Sequence, residues 1–142
     1  MVKIDASIFK RLIGVWKTEG NIRKGKDILK LDGIDSYEFI LDGNFILHKA
    51  DVMMGNERSE TLEIIGLDQS TVSAKMQYYN AKGDTGVMTC SLVDSDFNIT
   101  GDQLKFEGTI GDKNENIIGK WYVQSENGEW AEFIDISLTK QI

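Results

Sequence analysis

Proline is absent from this chain of 142 residues, cysteine occurs once (Cys90) and histidine once (His48). A lone cysteine forms no internal disulfide. The simplest reading of such cysteine use is a reducing, cytoplasmic setting. One histidine and one cysteine do not make a Cys/His zinc site, and no histidine–carboxylate motif with metal-ligand spacing is present. No metal and no cofactor is therefore expected. No apolar run is long enough to span a bilayer. The opening MVKIDASIFKRLIG lacks the apolar centre and small-residue cleavage site of a secretory signal. Basic residues are outnumbered, 16 Lys and Arg against 23 Asp and Glu, for a formal charge of −7. Such a surface repels phosphate backbones and anionic headgroups, so neither a nucleic acid nor a membrane is an expected partner.

What the chain does have is a rhythm of short strands separated by tight-turn signals. The one exception is the N-terminus. Ile8, Phe9, Leu12 and Ile13 form a single apolar stripe over residues 5–13, which predicts a short helix started by Asp5 or Ser7 and ended by Gly14. At about two turns it must lean on the rest of the fold. After Gly14 the period becomes two. Strands are predicted at 15–22, 34–41, 45–54, 61–67, 71–79, 85–92, 97–100, 103–110, 116–124 and 130–138, with 28–31 either extending the first or lying in a loop. Asn, Asp and Gly between them supply the positive φ of hairpin turns. No linker, repeat or low-complexity stretch divides the chain, so residues 1–142 form one domain.

Two architectures fit such a series, a two-sheet sandwich and a closed barrel. Sandwiches need long cross-sheet connections, and here nearly every connection is a hairpin. Closure also removes exposed strand edges. The expected fold is all-β: a closed antiparallel up-and-down β-barrel of about ten strands with a short N-terminal helix.

The run Leu12-Ile13-Gly14-Val15-Trp16-Lys17-Thr18-Glu19-Gly20 carries a resemblance. Its Gly-Val-Trp is similar to the Gly-x-Trp signature of the calycin superfamily. The whole run looks like the opening of lipocalin-like and nitrobindin-like small bacterial barrels of uncharacterised function. The resemblance covers most of the chain and implies a barrel of ten or so strands with an internal cavity for an apolar or amphipathic ligand. It also implies that Trp16 plugs one end, with a basic residue after the last strand packed over it; Lys140 stands there, where arginine is usual in lipocalins. Nitrobindin-like proteins hold haem through a histidine late in the chain, and none follows His48. Fatty-acid-binding proteins use buried arginines, and from Phe45 onward this chain has only Arg58, in a turn. Neither ligand carries over.

Strand parity sorts the inner face from the outer. On 45–54, Lys49 and Asp51 share a face, which turns Ile46, His48, Ala50, Val52 and Met54 inward. The same logic turns in Tyr37, Phe39 and Leu41; Val72, Ala74, Met76 and Tyr78; Leu104, Phe106, Gly108 and Ile110; Ile117, Gly119, Trp121 and Val123. Trp130, Glu132, Ile134, Ile136 and Leu138 form the last set, and Met88, Cys90 and Leu92 join on a more ambiguous strand. The residues expected to contact a ligand are Thr18, Tyr37, Phe39, His48, Val52, Met76, Tyr78, Met88, Trp121, Trp130 and Glu132. An apolar wall with a few inward polar groups is the chemistry of a small-molecule pocket.

Three functions remain open on the sequence alone. The first is binding of a small apolar or amphipathic molecule inside the barrel. The second is an enzyme with His48 as proton carrier and Glu132 or Tyr78 as its partner. The third is a filled barrel acting as an interaction module, in which His48 is ordinary core. No residue is assigned a catalytic role, and a homodimer is compatible with all three readings.

Overall fold

The computed structural model describes residues 2–142. Ten strands follow one another in chain order: β1 (Gly14–Lys24), β2 (Asp27–Ile40), β3 (Phe45–Met54), β4 (Glu57–Asp68), β5 (Ser70–Asn80), β6 (Thr85–Val93), β7 (Asp96–Gly101), β8 (Leu104–Ile110), β9 (Asn116–Gln124) and β10 (Trp130–Lys140). Each pairs antiparallel with its neighbours, and β1 pairs with β10 to close the barrel. The all-β, closed up-and-down barrel read from the hairpin spacing is the observed fold. Residues 28–31 belong to β2, a single 14-residue strand that takes in both segments on either side of Asp32-Gly33.

The N-terminal segment departs from the expected helix over 5–13. It forms two 3₁₀ turns, Ile4–Ala6 and Ile8–Leu12, separated by an extended Ser7. The Ser7 hydroxyl donates to the Ile4 carbonyl at 2.7 Å and accepts from the Phe9 amide at 3.2 Å. Serine thus ends one turn and caps the next, an arrangement a continuous α-helix could not hold. Ile4, Phe9 and Leu12 are fully buried.

These turns stopper one end of the barrel. Asp5 donates its amide to Gly43 in the β2–β3 turn, and Arg11 reaches the carbonyls of Asp94 and Gly111 in the β6–β7 and β8–β9 turns. Trp16 is fully buried beneath them, its indole N–H donating to the Leu12 carbonyl at 2.8 Å. Across the closing seam, Trp16 pairs with Lys140, whose ammonium lies 4.8 Å from the indole centroid. Gly14, at φ +140°, makes this possible: a Cβ there would lie 3.2 Å from the Lys140 stem. The glycine of the Gly-Val-Trp run therefore leaves room for the aliphatic stem, and the charged tip reaches outward over the ring.

The core is packed at this stoppered end, with Ile46, Ile65, Met76, Leu92, Ile110 and Ile117 buried around Phe9, Leu12 and Trp16. Toward the other end, where the β1–β2, β3–β4, β5–β6, β7–β8 and β9–β10 hairpins turn, Ile22, Leu31 and Ile134 form a separate small cluster. The packing is thus uneven along the barrel axis.

Candidate functional site

Between the two clusters lies a cavity of about 600 Å³. Its lining runs from Thr18, Phe106, Ile117 and Leu138, near the packed end, to Asn80, Thr85, Gly101 and Asp102, beside the opposite hairpins. The stoppered end is closed by the 3₁₀ turns, so the hairpin end is the mouth.

One row of cross-strand neighbours supplies most of the polar groups. Tyr37 on β2 stands opposite His48 on β3, His48 opposite Glu63 on β4, and Glu63 opposite Tyr78 on β5. In that row the His48 Nδ1 meets Glu63 Oε1. Its Nε2 lies 2.6 Å from Asp35 Oδ1, two residues along β2 from Tyr37. The Thr18 hydroxyl donates to the other Asp35 oxygen. Tyr37 stacks on the imidazole, with centroids 4.1 Å apart and planes 4° from parallel.

The electrostatics follow from this arrangement. Burial disfavours the imidazolium, but the hydrogen bonds to Asp35 and Glu63 outweigh it and raise the His48 pKa from 6.5 to about 10. At neutral pH the ring is a cation donating from both nitrogens, the only form able to satisfy two carboxylates at once. Tyr37 is held neutral: burial first, then the charges of Asp35 and Glu63, push its phenol well above the usual range. Cys90 is pushed up to about 12, chiefly by burial, and is an unreactive thiol. Among the described residues no group of three or more His, Cys, Asp or Glu is arranged to hold a metal ion.

The wall facing this row is aromatic. Phe106 lies 5.2 Å from Trp121 and 5.8 Å, edge-on, from Phe97. Gly108 and Gly119, paired across β8 and β9, let it lie there: a Cβ on Gly119 would come within 2.5 Å of the Phe106 ring and 2.6 Å of the Glu107 carbonyl oxygen.

Of the residues expected to contact a ligand, Thr18, Tyr37, His48, Val52, Tyr78, Met88 and Trp121 line this cavity. Four do not. Met76 is fully packed in the core at the stoppered end, one inward step past Tyr78. Phe39 lies beside the β2–β3 turn, 36% exposed, where its strand has run past the interior. Trp130 and Glu132 are on the outer surface. Trp130 lies under the Lys105 ammonium at 4.4 Å, and Glu132 pairs with Lys120 and Arg23. The cause is a bulge in β10: Glu132 stands opposite Tyr122, yet Ile134 stands opposite Trp121. Phe133 is the extra residue, and beyond it the alternation reverses.

Asp35 and Glu63 were missed by the sequence reading. Each had a signal. Asp35 shares the parity of Tyr37, and extending the Gly55-Asn56 hairpin residue by residue brings His48 opposite Glu63. Following apolar residues alone passes over a carboxylate on the inner face, since burial of an unpaired one is prohibitive.

Comparison with known proteins adds the fold and little else. No family model matches the chain, and no curated protein matches it. Among solved structures, Rv2717c from M. tuberculosis is similar over 94% of this chain and 95% of its own, with TM-score 0.75 and 8% identity. The S-type phycobiliprotein lyase CPES from Guillardia theta is similar over 98% of this chain and 95% of its own, with TM-score 0.66 and 10% identity. At such identities the likeness is one of architecture alone: the chain shares the overall fold of these structures.

Proposed function

We propose that the protein binds a small apolar or amphipathic molecule inside the barrel, in contact with the Asp35–His48–Glu63 cluster. The observation that carries this reading is the half-empty barrel: a packed stopper at one end, and beyond it a cavity with two buried carboxylates, Asp35 and Glu63, and the part-buried His48 between them on its wall. A filled interaction module would have no use for that space, and burying such a cluster costs more than an apolar core of the same volume. The phycobiliprotein lyase among the similar structures is compatible with a small-molecule role for the same architecture. The lone thiol, buried and unpaired, fits a cytoplasmic setting.

The acid–base reading is weaker. A His48 that is cationic at neutral pH, with both nitrogens engaged, is poorly placed to accept a proton. Glu132, once its candidate partner, faces outward. Titration with an environment-sensitive apolar fluorophore tests the proposal. Saturable binding is expected in the wild type and its loss in Val52→Trp, which fills the cavity from β3. Absence of binding, or equal binding in a folded Val52→Trp variant, would reject it.

A further inference from the structure

We propose that the ligand is a cation: an apolar body carrying a protonated amine that donates to Glu63. This rests on the barrel being a container and specifies what it contains.

The charged side chains of the cavity wall are Asp35, His48, Glu63 and Asp102, with neither lysine nor arginine among the lining residues. Even with His48 positive, the carboxylates outnumber it. A ligand carboxylate or phosphate would meet uncompensated negative charge in a poorly screened interior, whereas an ammonium would neutralise it.

The geometry points to one oxygen in particular. Both Asp35 oxygens are engaged, one by His48 and one by Thr18. Glu63 is only half engaged: Oε1 meets His48, and no protein donor reaches Oε2. Glu63 is 4% exposed, yet Oε2 is not sealed in protein, because among the described residues the only fully buried side-chain oxygen or nitrogen lacking a partner is Asp135 Oδ1. The free Glu63 oxygen therefore opens on the cavity, and a carboxylate oxygen there needs a donor. The Tyr78 ring stands next to it in the cross-strand row, and across the cavity Phe97, Phe106 and Trp121 offer apolar surface for the ligand's body. The chain's formal charge of −7 also attracts cations.

The test is displacement of the apolar fluorophore from the protein by decylammonium, decanol and decanoate at neutral pH, below the micellar concentrations of the two ionic amphiphiles and the solubility limit of decanol. The three share a chain and differ in head charge. Decylammonium is expected to bind about 10- to 100-fold tighter than decanol, the range of a charge-assisted hydrogen bond. Decanoate should be the weakest. Glu63→Gln should collapse the ammonium-to-alcohol ratio toward one. Decanol matching or exceeding decylammonium, or decanoate binding most tightly, would overturn the cation assignment and leave the container reading standing. Failure of the fluorophore and all three amphiphiles to bind would overturn both. The wild-type ranking decides the matter even if Glu63→Gln does not fold.

Discussion

The Tyr37 ring lies flat on the His48 imidazole, 4.1 Å away and within 4° of parallel, so the only histidine is fixed on its face as well as at both nitrogens. At neutral pH a ring held this way is protonated and fixed in one orientation. Strand register produces the arrangement: Tyr37, His48 and Glu63 are successive cross-strand neighbours, and Asp35 reaches in from two residues along β2.

Stability should depend on pH through His48. Its folded pKa, about 10, is above its unfolded value of 6.5, so the folded state holds the proton more tightly. The stability contributed by this protonation is fully present below 6.5 and is lost as pH rises through about 10. Urea midpoints measured across that window should decline in the wild type more steeply than in His48→Gln. Parallel curves for the two proteins would contradict the assignment.

Trp16→Ala should destabilise the barrel by about 3–5 kcal/mol, the cost of removing a fully buried indole from a packed end. Lys140→Met keeps the aliphatic cover over Gly14 and removes only the cation, so its cost should be about 0.5–1 kcal/mol. Denaturant titration of both variants checks the order. A Trp16→Ala loss below about 1 kcal/mol would show that the indole is not the plug.

The glycines of the aromatic wall should resist the smallest substitution. In Gly119→Ala the new methyl would sit 2.6 Å from the Glu107 carbonyl oxygen and 2.7 Å from the Gly108 Cα, so the backbone itself must shift. A loss of about 1–3 kcal/mol is expected. Gly111→Ala, whose nearest neighbour would be 3.8 Å away, should stay within about 0.5 kcal/mol of wild type. Equal midpoints for the two would mean that Phe106 does not depend on this opening.

The barrel was legible in the sequence because each strand follows the last through a hairpin whose Gly, Asn or Asp is visible, and because alternation is strict where one face is buried. It failed where a local device broke the period. The β10 bulge at Phe133 reversed the facing of Trp130 and Glu132, and neither residue type advertises a bulge. Ser7 split one helix into two 3₁₀ turns by bonding on both sides. The site was half legible. His48 was turned inward by the outward Lys49 and Asp51, but its two carboxylate partners run against the hydrophobic pattern. They are tolerated only because the three groups meet, which is a property of register across three strands.

In the proposed function a cationic His48, clamped by Asp35 and Glu63, forms the polar wall of the ligand cavity. Because the chain has a single histidine, ¹⁵N NMR of its imidazole reports on that wall directly. Two protonated ring nitrogens are expected at pH 8, titrating only near 10, with resonances that shift saturably as decylammonium is added. A neutral imidazole at pH 8 whose signals ignore the ligand would contradict the proposed function.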